Sequence, residues 1–262
     1  MDPFDGGVRA SGRGPPADTP GCTVTIGTNR RGSHCRERDV RRPAVLEGGS
    51  QSTVDLPRYR RRMPHDHFAG DPRTNRERML AGDLYIDDDP ESERIARRAT
   101  GLVDAYQRAV VANEDATARA LLTDLLGSLG EGAYIRPPLA VDYGENIHVG
   151  ARTFVNSGLT ALDVATVTIG EDCQIGPNVQ LLTPTHPVDP QPRRDKLEAA
   201  QPITLGDNVW LGGGVIVCPG VTIGDNTVVG AGAVVVKDLP ANVVAVGNPA
   251  RVVRTITPEG DV

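Results

Sequence analysis

The chain of 262 residues has a mass of 27.8 kDa, enough for one large domain or two small ones. Its formal net charge of −6 and its isoelectric point near 5.4 argue against a general polyanion-binding protein, because no domain-wide basic surface can neutralise phosphates. No apolar run approaches the roughly 18 residues of a membrane span, and the first residues lack the apolar core of a signal peptide. We therefore expect neither nucleic acid nor a membrane as a partner.

Cysteine and aromatic content narrow the class further. The four cysteines, Cys22, Cys35, Cys173 and Cys218, form no CxxC pair, so neither a disulfide framework nor a zinc site is indicated. Reduced thiols in a cytoplasmic protein are expected instead. Aromatic residues make up only 3% of the chain, whereas there are 30 glycines, which favours a stacked, repetitive core over a globular core of bulky side chains.

Residues 1–72 show no sustained apolar periodicity and are rich in Gly, Pro, Arg, Ser and Asp, which predicts a disordered tail. A solvated tail or a misassigned start codon explains this segment, and a basic arm for nucleic acid or membrane is the alternative. His65, Asp66 and His67 resemble metal ligands, but no further ligands lie at workable spacing, so no metal is expected. A chain that starts near Pro72 tests this, because normal folding and activity would show the tail to be dispensable for both.

Residues 73–130 are predicted to form a helical segment. Asp89 suits an N-cap and Pro90 the first helical position. The apolar face of this helix, at helical spacing, comprises Ile95, Ala99, Leu102, Val103, Tyr106 and Val110. Asn113 is a candidate cap for a second, leucine-rich helix that Gly127 ends. This hairpin is too small for a core of its own, so we expect it to dock onto the C-terminal part of the chain.

A six-residue repeat dominates residues 131–256. Aliphatic side chains stand six residues apart in three runs, which are Ile135, Val141 and Ile147; Ile169, Ile175 and Leu181; and Leu205, Leu211, Val217, Ile223, Val229 and Val235. Such a period fits neither a helix nor a simple alternating strand. It fits a coil of short strands with three sides to a turn, in which glycines permit tight corners. The predicted fold is therefore mainly β, a parallel β-helix of hexapeptide repeats preceded by a short helical hairpin and followed by a tail at 257–262.

One segment interrupts this repeat. Between Leu181 and Leu205, residues 183–201 lack the aliphatic–glycine step and contain several prolines together with His186. The segment is predicted to leave the coil as a loop, and long loops on a rigid scaffold commonly carry function.

Several motifs in the repeat region and before it resemble a known family. They are MLAGDLY (79–85), DYGENIHVG (142–150), NSGLTALD (156–163), THPVDP (185–190), PITLGDNVWLGGGVIVCPGVTIGDNTVVGAGAVVVKD (202–238) and VGNPARVVR (246–254). Through them, residues 73–256 resemble the hexapeptide-repeat sugar O-acetyltransferases, specifically the maltose and galactoside O-acetyltransferase group with its nodulation-factor relatives. The resemblance implies a left-handed parallel β-helix, acetyl-CoA as donor, and a homotrimer with active sites between neighbouring subunits.

Acetyl transfer to a hydroxyl requires a base with a pKa near neutrality, and histidine, at about 6.5, is suited. The resemblance assigns this role to His186, and it implies that Glu198 orients the imidazole and stabilises the imidazolium. Asn156 matches the family's active-site asparagine, which contacts the acceptor hydroxyl region. Around Glu198 the sequence RRDKLE departs from the family's R-N-x-G-x-E, with Lys196 in place of the glycine. An exposed charged hinge is the alternative interpretation of Glu198.

The resemblance also assigns residues to the acceptor. Asp87 and Asp142 match acceptor-binding positions, where short carboxylates accept hydrogen bonds from sugar hydroxyls. The alternatives are a turn residue for Asp142 and a helix-entry charge for Asp87. Asp163 is either a partner behind the site or a corner residue of the coil, and the sequence does not separate these.

Donor binding is implied for a second set of residues. Gly213 and Ala231 match positions where small residues meet the pantetheine arm of acetyl-CoA. Lys237, Arg251 and Arg254 match the basic positions at the nucleotide end, where phosphates favour cations. The alternative for these three is ordinary C-terminal surface charge.

The combined prediction is an acetyl-CoA-dependent O-acetyltransferase acting on a sugar or related polyol, with direct attack on the thioester. A non-sugar acceptor, such as serine or an antibiotic hydroxyl, is the alternative within the fold, and a non-enzymatic β-helical scaffold is the alternative between classes. A γ-class carbonic anhydrase needs three zinc-binding histidines, whereas outside the tail the chain has only His148 and His186.

Overall fold

The computed structural model describes residues 67–257. Three helices lie at the N-terminal end of this range, and a fourth, short helix occurs much later; they are α1 (Asn75–Leu80), α2 (Pro90–Val111), α3 (Asp115–Leu125) and α4 (Pro190–Arg194). Within the described residues, no helix is both long enough and apolar enough to cross a membrane. Most of the predicted N-terminal tail, including His65 and Asp66, and residues 258–262 lie outside the described residues.

The helical hairpin begins at a side-chain cap. The Asp89 carboxylate accepts a hydrogen bond from the backbone N–H of Glu91 at 2.9 Å, and Pro90 is the first helical residue, as predicted. The prediction for Asn113 was wrong, because Glu114 occupies the N-cap position of α3 without a side-chain cap. Asn113 instead adopts a left-handed conformation with φ of 59°, which ends α2.

Helices α2 and α3 pack against each other and dock onto the coil. Only residues 112–114 connect α2 to α3, and Arg98 in the first half of α2 is paired with Asp124 near the end of α3, so the two helices run antiparallel. The buried Tyr106 of α2 donates its hydroxyl to the carbonyl of Ile135 in the first turn of the coil. The hairpin thus covers the open end of the aliphatic core.

Three parallel sheets form the sides of the coil, and each receives one strand per turn. Sheet 1 contains β2 (Ser128–Leu129), β5 (Ile147–Val149), β8 (Val167–Ile169), β13 (Ile203–Leu205) and β16 (Thr222–Ile223). Sheet 2 contains β3 (Tyr134–Ile135), β6 (Phe154–Val155), β9 (Gln174–Ile175), β14 (Trp210–Leu211), β17 (Val228–Val229) and β19 (Val243–Val246), and β20 (Arg251–Thr255) joins it antiparallel. Sheet 3 contains β4 (Leu139–Val141), β7 (Leu159–Leu162), β10 (Gln180–Leu182), β15 (Ile216–Val217) and β18 (Val234–Val235).

The inward side chains form the predicted aliphatic ladder. Side chains with at most 1% exposure fill the interior of successive turns, among them Ile135, Val155, Ile175, Leu181, Leu205, Leu211, Ile223 and Val235. Successive turns approach so closely that a Cβ at Gly176 would lie 2.6 Å from the backbone nitrogen of Gly213. The glycine after an aliphatic is therefore required by contact between turns. The fold class predicted from the sequence, a mainly β parallel β-helix of hexapeptide repeats, is confirmed.

The turns differ in length, which the six-residue repeat does not predict. Phe154 pairs with Gln174 at a step of 20 residues, whereas Trp210 pairs with Val228 at a step of 18. Gln174 pairs with Trp210 at a step of 36, because the predicted loop is inserted in that turn. The longer turns explain why the hexad pattern slips between residues 147 and 169.

All of the additional residues lie where the chain passes from sheet 3 to sheet 1. From Val141 to Val149 the chain takes eight residues, whereas from Val217 to Ile223 it takes six. We call this edge the broad corner; it comprises residues 142–146, 163–166 and the excursion 183–202. The edge where the chain passes from sheet 2 to sheet 3 carries no such insertions and is called the groove corner.

The excursion has its own small antiparallel sheet. Strands β11 (Pro184–Thr185) and β12 (Leu197–Ala200) flank α4, and β12 also pairs with β1 (Tyr85–Ile86) from the helical segment. The strand order is β1–β12–β11. This sheet ties the helical segment to the broad corner of the coil.

Residues 67–72, which the prediction assigns to the tail, contact this region. His67 Nε2 lies 2.8 Å from Oδ2 of Asp195, whose side chain is 3% exposed. Asp71 Oδ2 accepts a hydrogen bond from Nε of the buried Arg78 at 3.2 Å. The Arg78 guanidinium lies over the ring of Phe68, 4.0 Å from its centroid.

Candidate active site

The register of the small sheet places His186 beside Glu198. Thr185 pairs with Ala199. Because the two strands are antiparallel, His186, which follows β11, lies opposite Glu198 on β12. His186 Nδ1 lies 4.0 Å from Glu198 Oε1. This distance is longer than a hydrogen bond but within the range of an ion pair once the imidazole is protonated. The His186 side chain is 54% exposed, so the ring is accessible to a substrate.

Glu198 is held from its other side by a tyrosine that the sequence did not single out. The buried hydroxyl of Tyr85 donates a hydrogen bond to Glu198 Oε2 at 3.0 Å. Burial, followed by the negative charge of Glu198, raises the pKa of Tyr85 far above its ordinary value, so the phenol stays protonated. Tyr85 lies in the quoted motif MLAGDLY, but no local pattern connects it with a residue 113 positions later.

Asp142 lies at the first turn of the broad corner, close to further carboxylates. Burial, together with the negative charges of Asp163, Asp87 and Glu198, raises the pKa of Asp142 to about 6. Like charges close together disfavour ionisation of each other. The predicted acceptor residues Asp87 and Asp142 therefore share one acidic region with the predicted orienting residue Glu198.

Asp163 is a corner residue of the coil. Its side chain is fully buried, and Oδ1 accepts backbone hydrogen bonds from Asp142 at 3.0 Å and Tyr143 at 2.9 Å. The Asn146 backbone N–H donates to Oδ2 at 3.3 Å. Burial raises the pKa of Asp163, although these hydrogen bonds oppose that rise. The carboxylate fixes the loop that carries Asp142, so this corner residue also lies behind a predicted acceptor position.

A groove runs along the other edge, the groove corner. It has a volume of about 540 Å³ and is lined by residues that include Asn156, Gly176, Gly213 and Ala231. Its floor includes the small residues Gly176, Gly213 and Ala231, and a side chain at Gly176 would meet the next turn. Asn156 is half-buried there, and its Oδ1 accepts the backbone N–H of Ser157 at 2.8 Å. A narrow, extended ligand arm fits such a floor.

The three predicted basic residues are exposed and lie on the last turn of the coil. Lys237 follows β18, whereas Arg251 and Arg254 belong to β20. Arg251 pairs with Val246, and Val246 contacts the position of Gly230, next to Ala231 of the groove. Arg251 thus lies near the C-terminal end of the groove.

The chain brings the predicted site residues together in two groups. His186, Glu198 and Asp142 belong to the broad corner, and Asp87 of the helical segment lies close to Asp142, while Asn156 belongs to the groove corner. Strand β7 (Leu159–Leu162) separates the two edges, and strands of this length span about 10 Å or more. One chain therefore does not hold Asn156 next to its own His186.

The chemistry available at the broad corner is proton transfer. An exposed imidazole beside a carboxylate can accept a proton from a hydroxyl, and the carboxylate stabilises the resulting imidazolium. Among residues 67–257, no group of three or more His, Cys, Asp or Glu side chains is arranged to hold a metal ion.

Comparison with known protein families matches both halves of this architecture. The family described as maltose acetyltransferase hexapeptide capping motif matches residues 78–130, which contain α2, α3 and β1. The family described as bacterial transferase hexapeptide (six repeats) matches residues 202–237, in the later turns of the coil.

Individual relatives are similar to this chain over most of their own length. Nodulation protein L from Rhizobium meliloti is 46% identical over 180 residues, which cover 69% of this chain and 98% of that protein. The crystal structure of a maltose O-acetyltransferase from Clostridium difficile is 42% identical with a TM-score of 0.69, over 71% of this chain and 98% of that one. A galactoside acetyltransferase in complex with coenzyme A is 41% identical with a TM-score of 0.67, over 69% of this chain and 90% of that one.

Proposed function

The chain belongs to the hexapeptide-repeat acetyltransferase family, and on this premise we propose that it transfers acetyl from acetyl-CoA to a hydroxyl of a sugar or related polyol, with His186 as general base. The observation that carries this proposal is the pairing of an exposed histidine with a carboxylate, His186 Nδ1 to Glu198 Oε1 at 4.0 Å, beside the acidic region around Asp142. The relatives named for maltose and galactoside acetylation support a sugar acceptor.

In the proposed reaction His186 accepts the proton of the acceptor hydroxyl as the oxygen attacks the acetyl carbon. Acetyl-CoA supplies the acetyl group as a thioester, whose C–S bond breaks as the new C–O bond forms. Glu198 stabilises the imidazolium, which then returns its proton to the departing sulfur. Asp87 and Asp142 hold acceptor hydroxyls through hydrogen bonds, since a carboxylate accepts from several donors at once.

The proposed donor site is the groove. Its small residues, Gly213 and Ala231, leave room for the pantetheine arm, and Arg251 near its end supplies a cation for the phosphates. Arg254 and Lys237 on the last turn are proposed to serve the same phosphates. Asn156, on the same groove, is proposed to contact the acceptor hydroxyl of a site shared with another subunit.

A homotrimer is part of the proposal, because one chain keeps Asn156 and His186 on different edges. Tyr134 and Trp210 on sheet 2 are 46% and 55% exposed, which is a large apolar exposure that a neighbouring subunit would cover. The activity is proposed to be cytoplasmic. Light scattering coupled to size exclusion measures the mass in solution, and a monomer would contradict the shared site.

The base is tested with purified His186→Ala. We expect kcat to fall about 100-fold or more while the melting temperature and oligomeric mass stay unchanged. His148→Ala is the matched control, because His148 Nδ1 lies 3.0 Å from the Ser128 hydroxyl, on sheet 1 at the end that the helical hairpin covers. Wild-type turnover in His186→Ala would reject the proposed mechanism.

The acceptor is tested with a panel of sugars, amino acids and hydroxyl-bearing antibiotics, each with acetyl-CoA and a readout of free CoA. Release with sugars or polyols is the expected result. Release only with serine or only with an antibiotic would replace the sugar acceptor by the corresponding alternative.

A further inference from the structure

Three side chains stand in a row across the small sheet. Tyr85 on β1 pairs directly with Glu198 on β12, and the register of β12 with β11 brings His186 to the opposite side of Glu198. Directly opposed residues of antiparallel strands project from the same face. The backbone register therefore places Glu198 between Tyr85 and His186.

The two oxygens of Glu198 have different neighbours. Oε2 accepts the Tyr85 hydroxyl at 3.0 Å, and Oε1 faces His186 Nδ1 at 4.0 Å. Glu198 is 25% exposed, so water competes for its carboxylate, and a glutamate side chain is flexible. The hydrogen bond from Tyr85 selects one orientation of the carboxylate, in which the second oxygen is directed at the imidazole.

Tyr85 itself is fixed by its surroundings. It is 2% exposed and packs in a hydrophobic cluster with Met79, Ile95, Tyr143 and Ala200. A buried phenol requires a hydrogen-bond partner, and the Glu198 carboxylate provides it. The rigid part of this pair is the tyrosine, and the adjustable part is the glutamate.

We propose that Tyr85 is a positioning residue of the acetyltransferase site, which orients Glu198 for His186 and thereby couples the helical segment to the catalytic base. This inference rests on the proposed function, since it assigns Tyr85 a role only through Glu198 and His186. It explains why β1 of the helical segment is joined to β12 of the excursion.

The test is a double-mutant cycle with Tyr85→Phe, Glu198→Ala and the double variant, assayed as the full chain. Tyr85→Phe keeps the ring and removes only the hydroxyl. We expect it to lower kcat about 10-fold with an unchanged KM for acetyl-CoA, and to lower kcat no further in the Glu198→Ala background. Tyr106→Phe is the control, because it removes a buried hydroxyl that bonds to the Ile135 carbonyl, away from the small sheet.

A loss of kcat from Tyr85→Phe that is equal in both backgrounds, or that Tyr106→Phe reproduces, would overturn the inference in favour of a general structural role. Wild-type kcat in Tyr85→Phe would also overturn it. His186→Ala, measured in parallel, distinguishes failure of the proposed function from failure of the positioning role. If His186→Ala keeps full activity the proposed function fails, whereas if only Tyr85→Phe keeps it the positioning role alone fails.

Discussion

The carboxylate of Asp163 lies behind the backbone of Asp142, whose N–H it accepts at 3.0 Å. Asp163 has no exposed surface, whereas Asp142 is only half-buried and faces the acidic region with Glu198. A residue of one turn thus shapes the loop of the preceding turn. The conformation of a proposed acceptor residue is set by a neighbour that does not itself reach the substrate.

Replacing Asp163 by alanine is expected to lower the free energy of unfolding by about 2–4 kcal/mol. The substitution leaves three backbone N–H groups at the corner, those of Asp142, Tyr143 and Asn146, without their acceptor. Asp225→Ala is the matched control, because Asp225 is exposed and accepts the backbone N–H of Asp207 at 2.9 Å. Urea denaturation measures both variants, and an equal loss in the two would contradict the role given to Asp163.

The acidic region is expected to make stability depend on pH. The folded-state pKa of Asp142, about 6, lies above its value of 3.8 without the fold, so the folded chain binds the extra proton between these values. The contribution of Asp142 to stability therefore falls as pH rises from 4 to 6, and Asp142→Asn lacks this contribution. We expect Asp142→Asn to gain about 1–2 kcal/mol relative to the wild type between pH 4 and pH 7 in the free energy of unfolding.

Asp172→Asn is the control for this pH dependence. The Arg152 guanidinium holds the pKa of the exposed Asp172 below its usual range, so its contribution has the opposite sign. The stabilisation that the Arg152–Asp172 pair contributes is present above the ordinary pKa of Asp172 and is lost as pH falls. Parallel curves for Asp142→Asn and the wild type between pH 4 and pH 7 would show that the acidic region does not perturb Asp142.

The coil was predictable from sequence because its core is a local pattern. Each turn places aliphatic side chains such as Leu211 and Ile223 inward at a fixed spacing, so the six-residue period alone indicates the fold. The short insertions at the broad corner were not predictable, because two additional residues between Val141 and Val149 shift the phase of the repeat without any signature of their own. The excursion was located by a different signal, because residues 183–201 lack the aliphatic–glycine step and contain several prolines.

The site was predictable only in part, for a related reason. His186 and Glu198 occur within one excursion, and a family motif marks the histidine. The bond from Tyr85 to Glu198 joins residues 113 positions apart through an antiparallel pairing that no local periodicity encodes. The separation of Asn156 from His186 likewise depends on which corner each residue occupies, which requires the three-dimensional coil.

A chain shortened to begin at Arg73 is expected to be less stable than one that begins at His67. The shorter chain lacks His67, one partner of the buried Asp195, and also Phe68 and Asp71, which contact Arg78. We expect its melting temperature to be lower by about 5 °C, since one or two buried partners are lost. Equal melting temperatures for the two chains would contradict a stabilising role for residues 67–72.

Mixed oligomers test whether His186 and Asn156 of different subunits form one site. His186→Ala and Asn156→Ala are each expected to be nearly inactive as pure proteins. If every site takes His186 from one subunit and Asn156 from its neighbour, random assembly of equal amounts leaves about a quarter of the sites intact. The mixture, unfolded and refolded together, should therefore recover about a quarter of wild-type activity, whereas mixing without exchange of subunits is the control. Recovery would be absent if both residues of a site came from the same chain, because every subunit then carries one defect.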